Sequence, residues 1–261
     1  LSFWKTTGKI NDLKNKLKKL TIKGTVGIGH TRWATHGEAN DENAHPQVAS
    51  PNKIAIVHNG IIENYIQLKN LLIQEGHIFR SQTDSEVIVH LIDRYYQGDL
   101  VSAIEKATLD LQGTYAIAVI CEKEPDKIVV CRKGSPLIIG KGVGENYISS
   151  DINAILSHTK DVIHLDDNEI AVLTKEDVSV KRINGSLIEK KVDHIKWDPS
   201  TSEKEGYDHF MLKEIFEQPN VVRNILSKYL DKKSQINFKH HKLSNQEMAD
   251  VSRFIIQACG T

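Results

Sequence analysis

Between residues 115 and 183 the chain is a succession of six short apolar segments, at 115–121, 127–132, 137–140, 147–150, 169–174 and 178–183, with turn residues between them. Segments of this length, rich in Val and Ile and bounded by Gly, Pro, Asn and Asp, are strands and not helices. Crowded together in sequence, they form an antiparallel sheet system that leaves helices to other layers. The fold class that follows is α+β.

Helical signals flank this region. Residues 9–23 are Lys-rich, with Ile10, Leu13, Leu17 and Leu20 at helical spacing, which predicts an amphipathic helix with a wet basic face stopping at Gly24. Residues 25–29 then predict a buried strand and 30–37 a loop leaving it. A second strand is expected at 53–58, broken by Asn59-Gly60. Residues 63–75 place Tyr65, Leu68, Leu71 and Leu72 on one helical face. Thr83-Asp84-Ser85-Glu86 fits a capping box with Thr83 as N-cap, for a helix running to Gln97 and stopped by Gly98. Another helix is expected over 99–111.

Beyond 196 the character changes. Residues 197–206 are polar and turn-rich and predict a linker. Residues 207–229 predict a helix interrupted by Pro219, and 245–252 a further helix. An apolar strand at 253–258 runs into Cys259-Gly260-Thr261, the strand-to-turn arrangement that offers helix N–H groups to a phosphate. The expected organisation is one domain over 1–196, a linker, and at 207–261 the start of a second domain of α/β type.

The balance of 34 Lys+Arg against 34 Asp+Glu removes any global field drawing the chain toward nucleic acid or a membrane. Its apolar runs are far shorter than a bilayer span, and the first seven residues lack the pattern of a signal peptide. Cys121, Cys131 and Cys259 match neither a disulfide framework nor a metal-ligand spacing; Cys121 and Cys131 read as small core residues of a protein in a reducing cytosol.

Four clusters carry chemistry: Gly29-His30-Thr31-Arg32-Trp33-Ala34-Thr35-His36-Gly37, Asn43-Ala44-His45-Pro46, His58-Asn59-Gly60 and Thr83-Asp84. Arg32 offers a bidentate fork for an α-carboxylate. Asp84, at a helix start, offers a carboxylate for an α-ammonium, and Asn59 with the N–H of Gly60 offers an oxyanion hole. Each has a plainer reading: a surface ion pair for Arg32, a tight turn for Asn59-Gly60, a helix-dipole partner for Asp84. His30, His45 and His58 read as loop or core histidines with satisfied hydrogen bonds.

Taken in order, these clusters and Gln82-Thr83-Asp84-Ser85-Glu86-Val87 resemble successive motifs of class II, N-terminal-nucleophile glutamine amidotransferases. The first resembles the branch that makes glucosamine 6-phosphate. So do residues 209–219 (His-Phe-Met-Leu-Lys-Glu-Ile-Phe-Glu-Gln-Pro), similar to the segment joining glutaminase to sugar-isomerase domain, and Ala258-Cys259-Gly260-Thr261, similar to the first phosphosugar loop. The resemblance implies an αββα sandwich of the N-terminal-nucleophile hydrolases, followed by the opening of a sugar-isomerase domain. It implies that Arg32 and Asp84 hold the two ends of L-glutamine, that Asn59 and Gly60 form the oxyanion hole, that Thr35 and His36 line the pocket, and that Trp33 lies at the ammonia channel. Cys259, Gly260 and Thr261 would begin the sugar-phosphate site. D-fructose 6-phosphate is the implied acceptor, with no metal or organic cofactor, a cytoplasmic setting and a homodimer when complete. The class uses a cysteine at its mature N-terminus as nucleophile; position 1 here is Leu, so the resemblance implies a sandwich lacking its opening strand and a fragment of a longer enzyme. The alternatives are another class II amidotransferase, or a glutamine-binding module without chemistry.

Overall fold

A computed structural model describes residues 1–51, 53–196, 206–230, 246–247, 250–253 and 255. The chain divides into two compact units, Leu1–Pro199 and Ser200–Thr261.

The first unit is built on two antiparallel sheets. The larger has seven strands: β1 (Gln47–Ala49), β2 (Ile54–Ile62), β3 (Gly113–Cys121), β4 (Glu124–Lys133), β8 (Glu169–Leu173), β9 (Val178–Arg182) and β10 (Leu187–Ile188), adjacent in that order. The smaller has four, in the order β11 (Asp193–His194), β7 (Asp161–His164), β5 (Ile138–Lys141) and β6 (Asn146–Ser149). Helices α2 (Tyr65–Gln74), α3 (Glu86–Tyr95) and α4 (Leu100–Asp110) cover one face of the larger sheet.

Strand alternation explains the layering. On β3, Tyr115, Ile117, Val119 and Cys121 enter the core shared with Val87, Ile88, Leu91 and Ile92 of α3 and Leu100 and Ile104 of α4. Ala116 and Ala118, on the opposite pleat, join the core between the sheets with Val130, Ala171, Leu137, Ile139 and Ile163. Small side chains there bring the two sheets together. The outer face of the smaller sheet carries a 3₁₀ turn, Ile152–Ala154, over a third cluster of Ile138, Ile155 and Val162. The order helix, sheet, sheet is that of an N-terminal-nucleophile sandwich.

Several local expectations are corrected. Helix α1 covers only Ile10–Leu17 and fully buries no residue; Leu13 and Leu17 are half-buried, but Leu20, which was to carry the stripe onward, is exposed. Residues 25–29 join no ladder: Val26 and Ile28 are half-buried, with Gly27 between them and no strand partner among the described residues. The strand at 53–58 is not broken by Asn59-Gly60. β2 continues through both, pairing Asn59 with Ala116 and Gly60 with Tyr115. Thr83 is not an N-cap. The Glu86 carboxylate turns back instead to the N–H groups of Arg80 (2.8 Å) and Ser81 (2.7 Å), which makes 80–86 a compact hairpin of hydrogen bonds ahead of α3. Burial alone would raise the Glu86 pKa; nearby His90 and these donors outweigh it and hold the group below the usual carboxylate value. Strand β7 went unpredicted because Val162 and Ile163 are its only apolar residues; two neighbouring strands give it a ladder.

In the second unit, α5 (Phe210–Tyr229) runs through Pro219 without the predicted interruption. A proline inside a helix removes one N–H donor and strains one turn, which a twenty-residue helix can absorb. Of the predicted helix at 245–252, Gln246 and Glu247 are helical, but Asp250 lies in a turn and Val251 and Ser252 are irregular; Arg253 and Ile255, the described residues of the predicted strand at 253–258, are in no strand. Residues 197–205 of the linker and Cys259, Gly260 and Thr261 lie outside the described residues.

Candidate active site

The loop 30–38, the C-terminal half of β2 and the turn entering α3 meet around one cavity of about 220 Å³. Its lining includes every residue singled out in the first unit: Arg32, Trp33, Thr35, His36, Asn59, Gly60 and Asp84. It also includes Thr31, Thr83 and Ser85, and three histidines read from sequence as satisfied loop or core groups: His30, His45 and His58.

Each element delivers its side chain for a local reason. Gly60 has φ +133°, a backbone region closed to most side chains, and a Cβ there would lie 2.1 Å from the carbonyl oxygen of Thr114 on the paired strand. Only glycine lets β2 keep its ladder while bending at the cavity wall. Asp84 is buried, and its Oδ2 accepts the N–H of Ile62 at 2.8 Å, while Oδ1 lies 3.9 Å from Nδ1 of His36. The Asp84 carboxylate is thus fixed to the end of β2. Asn43 and Gln82 fasten the loop to the α3 turn: the Gln82 N–H donates to Asn43 Oδ1 (2.8 Å), and Gln82 Oε1 accepts from Asn43 Nδ2 (3.2 Å) and from the Glu38 N–H (3.3 Å).

Arg32 is half-buried, and its guanidinium donates to the carbonyls of Glu38 (2.9 Å), Gly37 (3.1 Å) and His36. Part of the fork predicted for a carboxylate therefore braces its own loop, leaving its other N–H donors for a ligand. Trp33, at 90% exposure, stands at the rim with Thr35. The charges at the cavity are one guanidinium and one carboxylate, the pattern that suits a zwitterionic amino acid.

Two of the three histidines expected to be satisfied groups have side-chain partners at the cavity. His30 Nε2 lies 2.6 Å from Asn59 Oδ1, and His58 Nδ1 lies 2.9 Å from Ser85 Oγ. The His58 carbonyl also bears on the His30 ring and the Thr114 carbonyl on the His58 ring, while Nδ1 of His45 is buried without a protein partner among the described residues. Sequence signalled their presence in the motifs; it carried no sign that folding would bring them to one cavity.

Residues 12–196 match the glutamine amidotransferase domain family. The chain belongs to that family. Among curated relatives, the glutamine–fructose-6-phosphate aminotransferase (isomerizing) of Clostridium acetobutylicum is 46% identical over 257 residues, covering 98% of this chain and 42% of the relative. The enzymes of that name from Aquifex aeolicus (48% over 257 residues; 98% of this chain, 42% of the relative) and Methanosarcina mazei (47% over 270 residues; 99% and 44%) are as similar. The chain spans less than half the length of each. Among solved structures, the glutamine phosphoribosylpyrophosphate amidotransferase of B. subtilis aligns at 26% identity and TM-score 0.50, over 60% of this chain and 35% of that one. An allosteric regulatory enzyme of purine biosynthesis aligns at 29% and 0.51, over 59% and 34%. Both carry the fold of this glutamine amidotransferase domain. No helix among the described residues is long and apolar enough to cross a membrane, and no group of three or more His, Cys, Asp or Glu among them could hold a metal ion.

Burial also sets the charge state of the amidotransferase pocket. It pushes the His45 pKa down to about 2, helped by nearby His30, and that of His58 down to about 4 despite the opposing pull of Asp84. Both fall below the value of an exposed imidazole, so between pH 6.5 and 4 the unfolded chain binds protons that the folded chain refuses. Stability is therefore full above about pH 6.5 and declines as pH falls through that window. At pH 5 each histidine is expected to cost about 2 kcal/mol, from ~1.4 kcal/mol per pH unit. Melting temperatures from pH 7.5 to 5, with histidine resonances followed by NMR, check this. A midpoint near 6.5 for either imidazole would show a solvated group instead.

Proposed function

We propose that this domain binds L-glutamine and, within a polypeptide of its relatives' length, releases the side-chain nitrogen to make glucosamine 6-phosphate and glutamate from fructose 6-phosphate and glutamine. The observation that supports this most is the convergence of Arg32, Asp84 and the Asn59–Gly60 pair on one cavity, in a chain 46–48% identical to enzymes named for that reaction. Arg32 would hold the α-carboxylate and Asp84 the α-ammonium, with Thr35 and His36 along the chain of the substrate and Trp33 over the exit. A thiolate attacking the amide carbon expels ammonia and leaves a thioester, which water hydrolyses to glutamate. The tetrahedral oxyanion of each step would lie against Asn59 Nδ2 and the Gly60 N–H.

The thiolate belongs, in this proposal, to a cysteine at the mature N-terminus of the longer protein. Cys121 and Cys131 lie in the core beneath α3 and α4, and burial pushes the Cys131 thiol up to about 12. The ammonia would pass to fructose 6-phosphate in a sugar-isomerase domain opening at 207–261, with Cys259, Gly260 and Thr261 beginning its phosphate loop. A second reading, a glutamine-binding module without chemistry, is supported by one observation: neither of those two thiols lines the cavity.

The test has two parts. Calorimetric titration of this chain is expected to show binding of L-glutamine and not of L-asparagine or D-glutamine. The protein isolated from its source cells is expected to begin with cysteine and to convert fructose 6-phosphate only when glutamine is supplied. Glutamine binding without any glutamate release in that protein would bring the second reading forward; no glutamine binding would sink both.

A further inference from the structure

An oxyanion hole needs a donor, yet Asn59 carries an acceptor and a donor on the same flat amide. Turned one way it presents Nδ2 to the cavity. Turned the other way it presents Oδ1, which would repel the charge it is meant to stabilise. Something must hold the amide in the useful sense.

His30 meets that need. Its Nε2 lies 2.6 Å from Asn59 Oδ1, and an amide oxygen can only accept, so Nε2 carries the proton. With Oδ1 engaged, Nδ2 is the amide's free donor. The imidazole is itself held: the His45 ring packs on it at 4.3 Å between centroids, tilted by 49°. Burial, more than any neighbouring charge, lowers the His30 pKa, so at neutral pH the ring carries a single proton.

We propose that His30 is a positioning residue for Asn59: its Nε2–H fixes the side-chain amide so that Nδ2 faces the cavity as an oxyanion donor. His30 itself touches no reacting atom. The assignment rests on the oxyanion role proposed above, and its test separates the two.

The tautomer comes first, by long-range ¹H–¹⁵N correlation on this chain labelled with ¹⁵N. A proton on Nε2 and a bare Nδ1 at neutral pH is the expected result; the opposite tautomer overturns the proposal whatever the kinetics show. Kinetics follow, as glutamate release by the protein isolated from its source. His30→Ala is expected to lower kcat by about 10–100-fold, the range seen when a group that orients a metal ligand is removed, with KM for glutamine moving much less. His30→Gln, which keeps an N–H at similar reach, should recover most of the loss. On an Asn59→Ala background, itself slowed by about 10²–10³-fold, His30→Ala should add little, because its partner is already gone. Full additivity of the two substitutions, or no recovery by glutamine, overturns the role. A parent protein that releases no glutamate removes the oxyanion reading, and the tautomer result then decides only whether His30 fixes the amide.

Discussion

Gly60→Ala is expected to lower the melting temperature of this domain on the order of 10 °C. Two costs add. The residue sits at φ +133°, where a side chain brings roughly 1–3 kcal/mol of backbone strain. Its Cβ would also lie 2.1 Å from Thr114 O, 2.7 Å from Thr114 C and 3.0 Å from Tyr115 Cα, all backbone of a central strand with little freedom to retreat. Overpacking of that kind costs about 1–3 kcal/mol more, and a domain of this size loses roughly 2–4 °C per kcal/mol. Gly76→Ala is the control. It also has positive φ, +93°, but nothing lies within 4 Å of its added Cβ. Only the backbone cost remains, roughly 1–3 kcal/mol. Thermal melts of the two variants beside the parent decide the matter: equal shifts for both would mean that the strand gives way at Thr114 and that the close approach is no constraint.

The second large effect is on binding. Asp84→Asn keeps an oxygen able to accept the Ile62 N–H, now at 2.8 Å, so the end of β2 should stay tied and the melting temperature close to that of the parent. What it removes is the negative charge. A hydrogen bond to a charged partner contributes about 1.5–3 kcal/mol, so the Kd for L-glutamine should rise by roughly 10- to 150-fold. Calorimetry on a variant shown to be folded gives the answer. An unchanged Kd would mean that the α-ammonium is held elsewhere, and the orientation proposed for the amino acid would have to be reversed or abandoned.

Strands β3, β4 and β8 were legible because each is a sharply bounded apolar run whose alternation serves two cores at once, and β9 because Val178 and Val180 alternate with polar residues toward one core. Helices α2 and α4 were legible from their apolar faces and, for α4, from Asp99, whose side chain accepts the Val101 N–H as an N-cap. What the sequence could not supply was the identity of partners. Val26 and Ile28 look like a strand until one asks what pairs with them. Asn59-Gly60 has the wording of a tight turn, yet Ala116 and Tyr115, more than fifty residues away, hold it in a ladder. Glu86 suits a capping box with Thr83, but hydrogen bonds to Arg80 and Ser81 claim it first.

The site was legible at the level of residue types and illegible at the level of their state. Arg32, Asp84, Asn59 and Gly60 could be singled out by what their groups can do. That Arg32 braces its own loop, that Asp84 is anchored to Ile62, and that buried histidines crowd the same cavity depends on distances that only folding creates. Asn43 stood in a motif without an assigned role, and its partner Gln82 did too.

That pair has a consequence for selectivity. Asn43 and Gln82 are absent from the cavity lining, yet three hydrogen bonds to Gln82 tie the loop bearing Arg32 to the turn bearing Asp84. Under the proposed function, the two grips on an amino acid are therefore parts of a single gauge, and Asn59 and Gly60 stand at a set mark along it. A substrate one methylene shorter could engage both grips only by leaving its amide and the donors of Asn59 and Gly60 unpaired, and so should not bind. The titration against L-asparagine thus measures the stiffness of two side chains that no substrate touches.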